Sequence, residues 1–417
     1  MNRIDTLIIG GGQAGLAMSR CLADRDVDHV VLERGRVAER WRTERWDSLR
    51  LLTPNWQTRL PGFRYDGPEP DGYMAAAELV AFFERYAESF HVPIETGTIV
   101  LSVERAGSSF HVQTNRGEWL ARHVVVATGY NDRPFVPPVA RRLSRRLTQI
   151  VPTAYRRPDA LPPGGVLVVG ASASGVQIAE EIHTSGRPVT LAVGRHQRMA
   201  RTYRGRDILW WFDALGFFET TSDDVFDLDT SRHQPSLQLA GRTGPSTDIA
   251  TLQRRGVNIV GRLADAEHER VSFDDDLAAN AAASDIKMVQ MLQRIDAFIA
   301  ERPALEPVPS PEAFEPTWPS TLGVTTSTLD LRAAGINTVV WATGFSRLYP
   351  WLKVPVLDER GEIRQHDGIT PAPGLFTLGM YFQRSRGSVS IDGVGRDAAF
   401  LADRIAHREA FAEAAAS

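Results

Sequence analysis

The same punctuation occurs twice along this chain, and that repeat limits its architecture more than any other feature. "GGGQAG" at 10–15 and "GASASG" at 170–175 each follow a short apolar run and open a helical stretch. Each is answered downstream by a strand-like run ending in Ala-Thr-Gly, "VVVATG" (124–129) and "TVVWATG" (338–344). Strand, glycine turn, helix, strand is the order of a βαβ unit in which the helix aims its first N–H groups at a phosphate. Two copies predict two related α/β units, each with its own nucleotide site.

The first unit opens with "IDTLIIG", "GGQAGLAMSRCLADR" and "HVVLERG"; the second with "VLVVG", "ASGVQIAEEIHTSG" and "PVTLAVGR". Proline-rich pieces, "RPFVPP" and "RRPDALPPGG", suit connectors between them. The fold class read from this pattern is α/β: two Rossmann-like dinucleotide-binding domains, the second inserted into the first. The first is assigned 1–150 and 346–417, the second 151–345. Within the second, roughly 205–330 exceeds what a minimal unit needs. That excess holds "DILWWFDALGFF", a helix predicted over Leu277–Ala300 and the proline-rich "RPALEPVPSPEAFEPTWPS". It reads as an additional, mostly helical insertion that covers the site or meets a partner. Its aromatic run, Trp210, Trp211, Phe212, Phe217 and Phe218, has helical spacing that favours core packing over a docking surface.

The two turns differ in what they select. In the first, Gly10 permits the sharp turn, Gly12 leaves room for a pyrophosphate, and Gly15 lets helix and strand approach, with Gln13 and Ala14 between them. Glu33 ends the next strand, where a carboxylate accepts hydrogen bonds from both ribose hydroxyls; Arg34 follows it. The second turn, Gly170 to Gly175, has Ser172 at the middle glycine position, with Ala173 and Ser174 after it. In place of the acid stands Arg195, followed by His196 and Arg198. Guanidinium groups bind a 2′-phosphate that a carboxylate repels. The expected pair is therefore FAD in the first turn and NADPH in the second, each needing its own unit so that a hydride can pass between them.

A net charge of −4 gives no field to draw nucleic acid, and no run approaches the ~20 apolar residues that span a bilayer. The single Cys21 excludes a redox-active pair and any intrachain disulfide. The glycine-interrupted run at 7–12 lacks a cationic leader and reads as a strand, so a cytoplasmic location is expected. No zinc spacing, P-loop or GxSxG elbow is present, and no metal site is expected.

These motifs, with "RWDSLRLLTP" (45–54) and "PGLFTLGMYF…GVGRDA", resemble the flavin-containing monooxygenases, in particular the short bacterial NAD(P)/FAD-dependent oxidoreductases. The resemblance runs nearly the whole length. It implies that Trp41, Arg42 and the loop carrying Thr53 lie beside the isoalloxazine, and that a helix starting near Asp392 points its N-terminus at the flavin pyrimidine. It adds Thr128, Gly129, Thr343, Gly344 and Gly379 to the cofactor contacts. The implied activity is NADPH-dependent reduction of FAD by hydride transfer, activation of O2 as a C4a-(hydro)peroxyflavin and oxygenation of a small organic substrate.

Two departures keep a second reading open. Leu52 stands where the related "SLxTNTxK" pattern has asparagine, and Val151 replaces the histidine of "QxHSxxYR". A reductase or oxidase passing electrons to a small acceptor or protein partner fits these losses. A non-catalytic sensor docking through the insertion is disfavoured by the two retained turns. No acid or base is singled out, and an amphipathic helix packs either internally or on a second copy, so a homodimer stays open.

Overall fold

The computed structural model describes residues 1–240, 247–302, 305, 308–311 and 326–414, with side chains to 407. Residues 2–126 build the first sheet from β1 (Asn2–Ile9), β2 (His29–Glu33), β3 (Ile94–Thr96), β4 (Val100–Ala106), β5 (Ser109–Thr114) and β6 (Gly117–Val126). Their order is β3-β2-β1-β6-β5-β4. The parallel core is buried on both faces, which is why its strands read as unbroken apolar runs. Leu7 and Ile9 face one cluster, Ile8 the other. Against Ile8 pack α1 (Gln13–Ala23) and α2 (Ala76–Ser89).

The second sheet is wholly parallel: β7 (Thr148–Ile150), β8 (Gly165–Val169), β9 (Val189–Ala192), β10 (Asn258–Val260) and β11 (Ile336–Trp341), in the order β7-β11-β8-β9-β10. Helix α3 (Ala173–Thr184) covers Val166 and Val168, while Leu167 and Val169 face Trp341 and Phe273. Two boundaries differ from the sequence reading. β7, assigned to the first domain, hydrogen-bonds to β11 of the second. β10, placed in the insertion, is the edge strand of the second sheet, because its register follows β9 from Thr190↔Asn258 to Ala192↔Val260.

The aromatic part of the insertion packs as a separate cluster, while Ile249, Leu252 and Leu277 join the α3 side of the second sheet and Val271 and Phe273 its other face. The predicted helix forms as α4 (Leu277–Ala300), and Met288, Met291, Leu292 and Ile295 meet Trp211 and Phe212 of the short helix Ile208–Ala214. Trp211 is fully buried and its indole N–H donates to the Tyr203 carbonyl at 2.7 Å. The stretch 302–320 falls mostly outside the described residues.

The chain then returns to the first sheet. β12 (Leu375–Thr377) pairs in parallel with β6, and α5 (Val394–Ala414) lays Val394, Ala398 and Leu401 onto the α1 face. Among the described residues no helix is long and apolar enough to cross a membrane.

Candidate functional site

In both sheets the glycine turn and the Ala-Thr-Gly segment leave adjacent parallel strands at their carboxyl ends, β1 beside β6 and β8 beside β11. These are the crevices where chain direction diverges and where open α/β sheets take their ligands. The repeated Ala-Thr-Gly is explained here. A side chain at Gly10 (φ +113°) would meet the Ala127 carbonyl oxygen at 2.5 Å, and one at Gly170 (φ +105°) the Ala342 oxygen at 2.3 Å. Each motif is the wall against which its turn closes.

The helices behind the turns offer free donors. α1 follows Gly12 and α3 follows Ser172 with no N-cap side-chain bond and no acid in the first turn; of the leading N–H groups, that of Ala173 donates to Ser236 Oγ at 3.2 Å. Leading N–H groups left this way form an anion site. A Cβ at Gly12 meets nothing within 4 Å, whereas one at Gly15 would lie 1.8 Å from the Gly10 oxygen. The former glycine keeps space open; the latter permits the helix to touch the turn. Ala14 lies 3.0 Å from where a Cβ at Gly379 would be, so Gly379 closes onto the start of α1.

Glu33 is only 9% exposed. Its oxygens accept from the backbone N–H groups of Gly11 (2.6 Å) and Gly35 (2.8 Å), which aim the carboxylate at the turn and leave lone pairs for ribose hydroxyls. Arg34 is solvated, 3.9 Å from Glu44. Buried polar atoms without a hydrogen-bond partner occur at Gln57 Oε1, Thr58 Oγ1, Gln383 Nε2 and Asp397 Oδ2, in the segment after Thr53 and around the entry to α5. Such atoms need a partner, and a polar cofactor along this side suits them. No sequence signal marked these four, because isolated Gln, Thr and Asp residues carry no periodicity.

Several predicted residues have protein partners. Trp41, on the short helix Glu39–Thr43, packs between the clusters of both units under the Arg45 guanidinium. Arg42 pairs with Glu84. Asp392 binds Arg59 through both oxygens, at 2.6 and 2.8 Å, two residues before α5 begins. Thr343 donates its hydroxyl to the Phe135 carbonyl, and Gly129 and Gly344 adopt φ +89° and +92°.

The basic cluster after β9 is smaller than the sequence suggests. Arg195 is exposed. Arg198 is not available to a phosphate: it is 5% exposed and its guanidinium pairs with Asp248 at 2.5 Å and Asp285 at 3.1 Å. A buried cation needs such partners, and two acids nearby from the insertion supply them. His196 is buried, with Nδ1 3.0 Å from the Gly194 carbonyl. Burial holds its ring below the usual histidine range, so the neutral imidazole donates from Nδ1 and leaves Nε2 as an acceptor.

The two units meet at one cavity of about 280 Å³. Trp46, Arg50 and Leu52 of the first unit line it, opposite Ala173 and Val176 of α3 and Leu237 and Leu239 of the insertion. Glu180 and Glu181 border it, their carboxylates accepting from Thr247 and from Ser48 and Tyr155.

A family model for pyridine nucleotide-disulphide oxidoreductases matches residues 7–207. The CzcO-like oxidoreductase of Geobacillus kaustophilus is 32% identical over 405 residues, covering 96% of this chain and 98% of the relative. A probable indole-3-pyruvate monooxygenase, YUCCA1 of Arabidopsis thaliana, is 33% identical over 181 residues, 42% of this chain and 44% of its own length. The chain belongs to the family of CzcO-like oxidoreductases. The solved flavin-containing monooxygenase of Stenotrophomonas maltophilia shares this family's fold, with a TM-score of 0.68 at 20% identity over 98% of this chain and 99% of its own. The matched model is named for a pyridine nucleotide and the solved neighbour for a flavin, the two cofactor classes expected from the two turns. This sequence has no cysteine pair: its one cysteine, Cys21, is buried, and burial pushes the thiol up to about 11.

Asp397, in the first turn of α5, provides a pH test of the site. Burial raises its carboxyl to about 6, only partly offset by the Ser388 hydroxyl. The folded chain therefore holds a proton that the unfolded chain releases near pH 4. Stability contributed by that proton is complete below the unfolded value and is lost as pH rises through about 6. Asp397→Asn mimics the protonated form and is expected to stabilise the apoprotein by up to about 3 kcal/mol at pH 8, with a smaller gain at pH 5. Urea melts at both pH values check this; an equal gain at each contradicts it.

Proposed function

We propose that this protein is an NADPH-dependent, FAD-containing monooxygenase acting on a small organic substrate with O2. The carrying observation is that Leu52, next to Thr53 of the expected flavin loop, and Ala173, first residue of the second helix, line the same cavity. On this reading both bays open toward that space, as a hydride donor and acceptor require. Bound cofactors supply the redox chemistry; the chain supplies placement, a partly apolar enclosure and donors for phosphates.

In this reading FAD lies along Gly10 to Gly15, Glu33, Thr53 and Gly379, with Thr128 and Gly129 at the crevice. Trp41 and Arg42 brace the same bay, and Asp392 holds Arg59 at its edge. NADPH lies along Gly170, Ser172, Ala173, Ser174 and Gly175, with Thr343 and Gly344 opposite and Arg195 at the 2′-phosphate. His196, as buried as Arg198, lies behind this surface and supports it rather than touching the nucleotide. Trp46, Val176, Leu237 and Leu239 give the substrate space an apolar part, with Arg50, Gln177, Glu180 and Glu181 lining the rest.

Stopped-flow spectroscopy of the reduced holoenzyme mixed with O2 tests oxygenation, alongside NADPH consumption and peroxide release measured with candidate substrates. Substrate-dependent loss of peroxide yield supports it. One observation favours the reductase alternative: Leu52 brings no polar group and packs on the insertion's apolar core. Rapid acceptor reduction, with every NADPH otherwise appearing as peroxide, selects that reading.

Arg195→Ala is expected to lower the ratio of kcat/KM for NADPH over NADH by about tenfold or more, the value of a charge-assisted hydrogen bond. An unchanged ratio removes Arg195 from the phosphate site.

A further inference from the structure

Among the described residues three arginines are buried, and Arg201 alone has no accessible surface. The other two serve their own surroundings. Arg198 pairs with acids of the second unit, and Arg347 with Glu362 and the Tyr130 carbonyl. Arg201 instead joins the two units. Its Nη1 donates to the Leu52 carbonyl at 2.7 Å, Nε to the Tyr73 hydroxyl at 3.0 Å, and Nη2 to Asp207 at 2.5 Å. Tyr73 also donates to Asp207 at 2.8 Å, and the guanidinium lies 4.2 Å from the Tyr73 ring centroid. Leu52 and Tyr73 belong to the first unit, Arg201 and Asp207 to the segment leading from the second sheet into the insertion.

The partners are not arbitrary surface groups. The segment 49–55 runs beside 72–76, with Leu51 N–H donating to Met74 O (2.9 Å) and Asn55 N–H to Gly72 O (2.9 Å). Arg201 grips one member of each strand of this ribbon. It is itself fixed from the other side, where its N–H donates to Ala240 O at 2.5 Å and its carbonyl accepts from Ile208 N–H at 2.9 Å. A buried cation with bonds in three directions cannot follow a small displacement of either unit without losing one. The Leu52 wall of the cavity is therefore set relative to the second unit by a charged fork rather than by apolar contact alone.

We propose that Arg201 is the positioning residue that sets the spacing between the flavin-side loop and the nicotinamide turn, and so governs the rate of hydride transfer. This rests on the function proposed above. Arg201 is placed to touch neither cofactor; it acts through Leu52 and Tyr73.

The test uses FAD-loaded Arg201→Met and Arg201→Lys, with Tyr73→Phe as a milder variant in case Arg201→Met fails to fold. Anaerobic reduction is followed against NADPH concentration, with NADPH and its 4-deuterated form. The limiting reduction rate of Arg201→Met is expected to fall by about a hundredfold, the effect of an ångström-scale misplacement. Its NADPH dissociation constant and FAD occupancy stay near wild type, and the deuterium isotope effect rises. Tyr73→Phe gives a smaller fall of the same kind. Lysine restores only part of the rate, because an ammonium cannot reproduce the planar fork. In the apoprotein, amide exchange at 50–53 is expected to accelerate in Arg201→Met and Tyr73→Phe.

A limiting rate near wild type in folded Arg201→Met, or in Tyr73→Phe if only that folds, overturns the proposal. So does a loss of rate that only tracks loss of FAD, or unchanged exchange at 50–53. If NADPH fails to reduce even the wild-type flavin, the functional reading fails with it. Amide exchange in the apoprotein tests the tether independently of that outcome.

Discussion

Gly12→Val is expected to fold and to purify colourless. A Cβ at Gly12 meets nothing within 4 Å, and the residue sits at φ −90°, ψ −168°, an extended conformation open to valine. The apoprotein has no reason to reject the side chain. Any phosphate resting on the first N–H groups of α1 does, since the isopropyl group occupies the approach to them. Losing two charge-assisted hydrogen bonds, worth about 1.5–3 kcal/mol each, weakens FAD by at least about a hundredfold. The contrast is Gly15→Ala, where the methyl group lands 1.8 Å from a backbone oxygen and the first unit itself loses about 1–3 kcal/mol of stability. Visible absorbance per mole of protein, with a thermal melt of the apoproteins, separates these outcomes. Stoichiometric yellow protein from Gly12→Val would move the flavin site elsewhere.

Gly175→Ala is expected to give the complementary phenotype, a yellow protein that dithionite bleaches and NADPH does not. Its methyl group would lie 1.9 Å from the Gly170 oxygen and 3.3 Å from the Ala342 side chain. The helix must move off the turn, at an overpacking cost of about 1–3 kcal/mol borne by the second unit. Displacing the donors of α3 by about an ångström lowers the reduction rate by roughly a hundredfold. FAD content stays near wild type because the first turn is built from β1, α1 and β6, none of which Gly175 touches. Anaerobic titration with NADPH decides it: bleaching at the wild-type rate, or loss of flavin as well, rejects the separation of roles.

Both variants draw on one geometric fact, that each unit has a glycine for ligand space or close packing and an Ala-Thr-Gly wall closing its turn. Sequence spacing shows the glycines plainly, because the backbone tolerates no substitute at a φ of +113° or +105°. What the wall does is not legible there. Ala127 and Ala342 are ordinary apolar residues until β6 and β11 pair beside β1 and β8.

The chain on its own determined the two units, the two glycine turns and the helix from Leu277 to Ala300. Those features are local: periodicity, turn chemistry and the interval from turn to strand end all lie within a few tens of residues. Tertiary structure decided what depends on distant segments meeting. It turned Arg198 from a phosphate ligand into the partner of Asp248 and Asp285, and it gave β7 and β10 to the second sheet. Arg201, one among many arginines in the sequence, became the cation between Leu52, Tyr73 and Asp207. Whether an arginine is solvated, paired or spanning two units depends on which acids and carbonyls the packed core brings to it, and no local pattern encodes that.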